Sequence, residues 1–301
     1  VTRYDFGIDF TAIDAIDMHT HVQLDSCGHH AMDDVLLAAT EKYFKSKDDQ
    51  SPTIDDVAAY YRSRNMAAVV FTVDAATESG HEANSVEEIA EGAARHNDVL
   101  IPFGSVDPWR GKVAVARARR LIDSYGVKGF KFHPSMQGFE PNDRRFYPLY
   151  EVLVEADVPA LFHTGQTGIG AGLPGGHGIK LRYADPMLLD DVAADFPDLR
   201  IIMAHPAVPW VDAQISIATH KANVFIDLSG WSPKYFPPQL VKAVNSNLRN
   251  KVMFGSDFPV IHPDRWMNDF AALDIKPDVT PLIYKANALT ALGIKSWPLL
   301  P

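Results

Sequence analysis

Eight short runs rich in β-branched and apolar residues recur along the chain. They are AIDAIDMH (12–19), AAVVFTVDA (67–75), VLIPFGSVD (99–107), VKGFKFH (127–133), VPALFH (158–163), LRIIMAH (199–205), NVFIDLS (223–229) and KVMFGSD (251–257). Runs without polar alternation are the pattern of strands covered on both faces, as in parallel sheets. Between them, stretches such as SVEEIAEGAARHN (85–97) and RFYPLYEVLVEAD (145–157) repeat apolar residues at spacings of three and four. That period predicts helices with one buried stripe. Ser85, three residues before Glu88, reads as a capping box, and Gly126 stands where a helix should stop. Eight strands alternating with helices predict a (β/α)8 TIM barrel, as a single domain over 1–301. A doubly wound open sheet uses the same units, but the count of eight favours closure, as does a length near the usual ~250 residues.

Two connections depart from the even spacing. The first, 22–54, is long, has a charged middle and contains His29, His30, Tyr43 and Phe44. It is expected to be a lid insertion after strand 1. The fifth, 164–183, is glycine-rich and is expected to fold over the barrel mouth. It holds a literal G-x-G-x-x-G at Gly170, Gly172 and Gly175, yet Pro174-Gly175-Gly176 cannot open the helix that a dinucleotide fingerprint requires. The end, TPLIYKANALTALGI, reads as a helix.

Composition narrows the function. An apolar fraction of 47% with 22% charged residues excludes wholesale disorder. The lone Cys27 excludes an internal disulfide framework and a cysteine-rich zinc site. A net charge of −10 argues against nucleic acid as a partner. No apolar run approaches the ~18 residues needed to span a bilayer. The opening VTRYDFGIDF lacks the apolar core of a signal peptide, so a cytoplasmic location is expected. Twelve histidines stand out against this background.

Several of them fall at strand ends, where side chains of a barrel converge on one site. The first run ends Asp17-Met18-His19-Thr20-His21. Residues i and i+2 of a strand share a face, so His19 and His21 offer two imidazoles to one point, a metal-site signature. The fourth run supplies Lys131 and His133, the fifth ends on His163, the sixth on His205 and the eighth on Asp257. A lone strand-end histidine is usually a satisfied polar residue. Four strands stopping on histidine, with an aspartate on a fifth, is a different matter. Asp17 reads as a carboxylate that fixes the histidine-bearing strand from behind. Alternation turns Phe132 and Phe162 away from the mouth, leaving Trp210 and Trp231 as wall residues; Arg182 is a candidate anion anchor.

These elements, D-x-H-x-H (17–21), G-F-K-F-H-P (129–134), F-H-T-G (162–165), M-A-H-P (203–206) and G-S-D-F-P (255–259), resemble the amidohydrolase superfamily. The branch resembled is the amidohydrolase-2 group, which contains aminocarboxymuconate-semialdehyde decarboxylase and γ-resorcylate decarboxylase. The resemblance implies one divalent metal, zinc or else manganese, held by His19, His21 and His163. It makes Asp257 a further ligand or the base beside the metal, and His205 an acid/base. Lys131 and His133 are then expected to meet a substrate carboxylate or carbonyl. A dimer or tetramer is likewise implied. The expected activity is hydrolysis by metal-activated water of an amide, ester, lactone or β-keto C–C bond, on a substrate that can be aromatic. The alternative is non-oxidative decarboxylation of an aromatic or unsaturated acid.

Overall fold

In the computed structural model, residues 2–44 and 51–294 are described. Eight strands lie where the apolar runs predict them: β1 (Ala15–His21), β2 (Met66–Phe71), β3 (Leu100–Pro102), β4 (Phe130–Phe132), β5 (Ala160–His163), β6 (Ile201–Ala204), β7 (Val224–Asp227) and β8 (Val252–Met253). Every ladder is parallel. The expectation of one closed ladder needs correction. The strands form two sheets, β1-β2-β3 and β4-β5-β6-β7-β8. β3 and β8 have only three and two residues, too few to ladder with both neighbours. The seams are spanned instead by isolated bridges, Gly104 with Phe130 and Thr20 with Phe258. Lys131 N donates to Gly104 O at 2.8 Å across one seam, and Met18 N donates to Phe254 O at 3.1 Å across the other.

The lack of alternation in the runs has its cause here. Alternate residues such as Ala68, Val70, Phe132, Phe162 and Met203 pack with helix residues in one buried cluster. Their neighbours Met18, Val69, Ile101, Leu161 and Ile202 fill a second cluster on the other face. Both faces are therefore apolar until the strand ends. Phe132 and Phe162 stack at 5.0 Å on the helix side, as alternation predicts.

The helix signals are met in part. Gly126 (φ 75°) ends the helical segment that closes on Tyr125. Ser85 accepts the Glu88 N–H at 3.1 Å, but the Glu88 carboxylate does not complete the box. It accepts Ser26 N at 2.8 Å and Ser26 Oγ at 3.1 Å, tethering the segment after β1. That segment is not all loop. A helix runs Asp34–Phe44, started by Asp33, whose carboxylate accepts the N–H groups of Val35 and Leu36. Residues 45–50 of the expected insertion lie outside the described residues. The glycine-rich stretch holds two short 3-10 turns, Pro174–Gly178 and Leu181–Ala184. Among the described residues no helix is long and apolar enough to cross a membrane.

Candidate active site

The site begins with an irregularity in β1. Asp17 pairs with Ala68 and Thr20 with Val70, so β1 spends three residues where β2 spends two. This bulge reverses the facing of the strand between Asp17 and His19. Asp17 stays on the helix side, fully buried. It accepts hydrogen bonds from His19 N (3.0 Å), Ser256 N (2.9 Å), Ser256 Oγ (2.5 Å) and Tyr61 OH (2.7 Å). Burial pushes its carboxyl up to about 6 against these bonds. His19 and His21 turn the other way, toward the cavity. Asp17 thus pins β1 to the segment after β8 without reaching the site, as expected of it.

The cavity-facing groups converge. Nε2 of His19 lies 3.3 Å from Asp257 Oδ1, and Nε2 of His21 lies 3.1 Å from the same oxygen. One ligand atom from each of the three falls within 4.8 Å of the others. Lys131 Nζ stands 3.1 Å from His19 Nε2. His19 Nδ1 donates to Asp227 Oδ2 at 2.6 Å, which leaves the Nε2 lone pair for the cavity. The same carboxylate accepts Ser229 Oγ at 2.8 Å, and Ser229 Oγ accepts His205 Nδ1 at 3.0 Å. The chain His205–Ser229–Asp227–His19 therefore fixes the tautomers of two rings at once. A Cβ at Gly255 would collide with the Asp227 carboxylate, and one at Gly230 with His205 Nδ1, so glycine is required for both to fit. His205 (φ 75°) and Asp257 (φ 71°) both adopt left-handed backbone, which L residues disfavour and which aims each side chain past its strand end.

Burial keeps the imidazoles of His19, His133, His163 and His205 neutral. Burial drives His19, His133 and His163 well below the ordinary histidine range, helped for His19 and His133 by the Lys131 ammonium. Burial also takes His205 down to about 4, against the attraction of Asp257. For Asp257, burial alone would raise the carboxyl; the hydrogen bond from His21 and the proximity of His205 outweigh it and hold the group ionised below its usual value. Burial lowers Lys131 to about 8, opposed by Asp257 and Asp227. It pushes the Asp227 carboxyl up as well, opposed by the Ser229 hydrogen bonds and the nearby Lys131. Neutral nitrogens beside an anionic oxygen are a donor set for a divalent cation. One observation fits that use directly. His163 Nε2 is buried and has no hydrogen-bond partner.

The family model described as amidohydrolase matches residues 16–294. This chain belongs to the amidohydrolase family. A curated relative, 2-keto-4-carboxy-3-hexenedioate hydratase of Sphingobium sp., is 34% identical over 111 residues, which is 32% of this chain and 31% of the relative. The match thus spans under a third of that protein's length. Among solved structures, an uncharacterised TIM-barrel protein from Bordetella bronchiseptica superposes with a TM-score of 0.74 at 22% identity, covering 93% of this chain and 99% of that one. The 5-carboxyvanillate decarboxylase of Novosphingobium aromaticivorans, solved with manganese, gives 0.67 at 15% identity, covering 97% and 100%. The 2,6-dihydroxybenzoate decarboxylase from Rhizobium gives 0.64 at 15%, covering 94% and 100%. At these identities the likeness is one of fold.

In this amidohydrolase the strand-end residues open into a cavity of about 680 Å³. Its lining brings together His19, His21, Lys131, His163, His205 and Asp257, with His133 and Trp231 beside them. His163 is set apart from the close triad. Its ring stacks on His133 at 3.8 Å and meets His205 edge-on at 4.7 Å. Two expectations are not met. Arg182 is exposed, hydrogen-bonds Tyr183 OH at 3.2 Å and does not line the cavity; the 3-10 turn Leu181–Ala184 carries it outward. Trp210 is likewise absent from the lining. The strand-end motifs do not single out Asp227, Ser229 or Arg265. Asp227 and Ser229 were legible in principle, since the NVFIDLS run ends on them and the strand-end rule applies equally there. Arg265, which lines the cavity from the helix Pro263–Ala271, carries no strand-end signal.

Proposed function

We propose that this amidohydrolase is a metal-dependent hydrolase acting on a small carbonyl compound with a planar or apolar body. The convergence of His19 Nε2, His21 Nε2 and Asp257 Oδ1 carries the reading. These three would hold the ion, and the orphaned His163 Nε2 is the natural further donor. A bound divalent cation supplies a Lewis acid for a carbonyl oxygen and a water of lowered pKa. The remaining chemistry belongs to the chain. His205, tied at Nδ1 by Ser229, presents its Nε2 lone pair to the cavity and is poised to accept a proton there. The ionised Asp257 accepts a proton from water and returns it to the leaving group. Lys131 Nζ, on the cavity floor, orients a substrate oxygen. The likeness to a hydratase, an enzyme whose name denotes water addition, supports water as co-substrate.

A second reading, non-oxidative decarboxylation, is favoured by Lys131. An ammonium at the cavity floor suits a departing carboxylate as well as a carbonyl. Elemental analysis of purified protein should find about one divalent transition metal per chain, zinc or manganese, and chelation should abolish turnover. Incubation with β-keto acyl thioesters and with hydroxybenzoates then separates free acid from released CO2. Full activity in metal-free protein would overturn both readings.

A further inference from the structure

The metal and acid/base groups occupy only the floor of the cavity. Beyond them the lining is mixed, with Phe44, Trp231, Val260 and Ile261 set among polar side chains such as Gln166 and Thr167. A space of about 680 Å³ lies well within the range for whole small-molecule ligands, so a substrate reaching from floor to mouth is accommodated. Among the described residues, histidines aside, the charged ones lining it are Lys131, Asp257 and Arg265. The first two compensate one another at the floor. Arg265 has one loose ion pair. Its side chain is 60% exposed, and its partner Asp269 Oδ2, one helical turn on, stands 4.0 Å from Nε, beyond hydrogen-bond range. That oxygen also accepts Ser232 Oγ at 2.5 Å. The guanidinium N–H groups are therefore left for another acceptor at the cavity wall. A guanidinium offers two parallel N–H donors to a carboxylate or phosphate.

We propose that Arg265 is the specificity residue for the far end of the substrate, and that this end is an oxyanion. The proposal rests on the reading of the cavity floor as the reactive site. It defines the substrate class as carbonyl acids with two ends: a reactive group at the floor, an apolar spacer against Trp231 and Ile261, and a carboxylate or phosphate at Arg265. The test is equilibrium binding by calorimetry of 4-carboxycinnamate, its 4-methyl ester and 4-phosphonocinnamate. Each is measured on the protein as isolated and after metal stripping. The wild type should prefer an anionic 4-substituent over the ester by about 10-fold, the worth of one charge-assisted contact. Arg265→Gln should erase that preference while binding the ester normally, and Arg265→Lys should keep part of it. Asp269→Asn, which alters only the distant carboxylate, should leave it intact. If the phosphonate outranks the carboxylate in an Arg265-dependent way, the natural anion is a phosphate. A wild type indifferent to the 4-substituent, or an Arg265→Gln protein that retains the preference with normal metal content, overturns the proposal. Failure of the metal reading looks different: no bound metal in protein as isolated, with the Arg265-dependent preference unchanged.

Discussion

Asp227→Asn isolates the contribution of the hydrogen bond behind His19. Asp227 Oδ1 accepts Ser229 N at 3.0 Å, while Oδ2 accepts His19 Nδ1 at 2.6 Å and Ser229 Oγ at 2.8 Å. An asparagine cannot satisfy this set. With its amide nitrogen toward Ser229 N, two donors collide. With the nitrogen toward His19, the ring is driven to the other tautomer, and Nε2–H replaces the lone pair that faces Asp257. Removing such an outer hydrogen bond typically costs 10- to 100-fold in metal affinity, or ~1.4–2.7 kcal/mol. The upper end is expected here, because both groups are wholly buried and no water can take the lost place. The assay is competition of stripped protein against a chelating dye for Zn²⁺ and Mn²⁺, with circular dichroism to verify folding. A folded Asp227→Asn protein that binds both ions like the wild type would refute the assignment of His19 as a ligand through Nε2.

Further outcomes follow from the same geometry. His205→Ala should keep its metal and lose about 10²- to 10⁴-fold in turnover, whereas His163→Ala should lose metal affinity; identical behaviour of the two would merge roles that are separated here. Ser229→Ala frees His205 Nδ1 and removes one of the bonds to Asp227, so it should lower kcat more than metal affinity, measured alongside Ser229→Thr as the rescuing variant. Away from the site, Arg117 bridges Asp74 at 2.7 Å and Glu87 at 2.9 Å. Arg117→Met strands the buried Asp74 and should cost about 2 kcal/mol in urea unfolding. Burial raises the Glu87 carboxyl, but Arg117 more than offsets this and holds it below its ordinary value. The contribution of Glu87 is therefore full above about 4.3 and is lost as pH falls through the lower folded value. Glu87→Gln should flatten that part of the acid limb.

The sequence exposes the strands because both faces of each are covered, and it exposes the site because polar residues interrupt the apolar runs only at their ends. His19, His163, His205 and Asp257 were legible for that one reason. What it hides are features set by pairing between distant segments. The β1 bulge is an example: a strict two-residue repeat would put Asp17, His19 and His21 on one face, three ligands in a row. The register instead sends Asp17 back against Tyr61 and Ser256. Nothing in D-M-H-T-H distinguishes the two outcomes, because the extra residue is defined only against β2.

Arg182 and Arg265 show the same limit from the other side. Neither arginine belongs to a strand-end motif, and local sequence favours Arg182 only because it follows the glycine-rich loop. The fold reverses that order. Both side chains are exposed, but the 3-10 turn holds Arg182 off the cavity, while Val260 and Ile261 line it immediately before the helix in whose first turn Arg265 sits. Strand ends are common to all barrels of this architecture, so a floor built from them specifies chemistry. The walls come from the connections after the strands, where a small change of backbone path decides whether a charge lines the cavity. The groups proposed for reaction therefore lie at positions the hydrophobic pattern reveals, and the residue proposed for substrate choice at a position it does not.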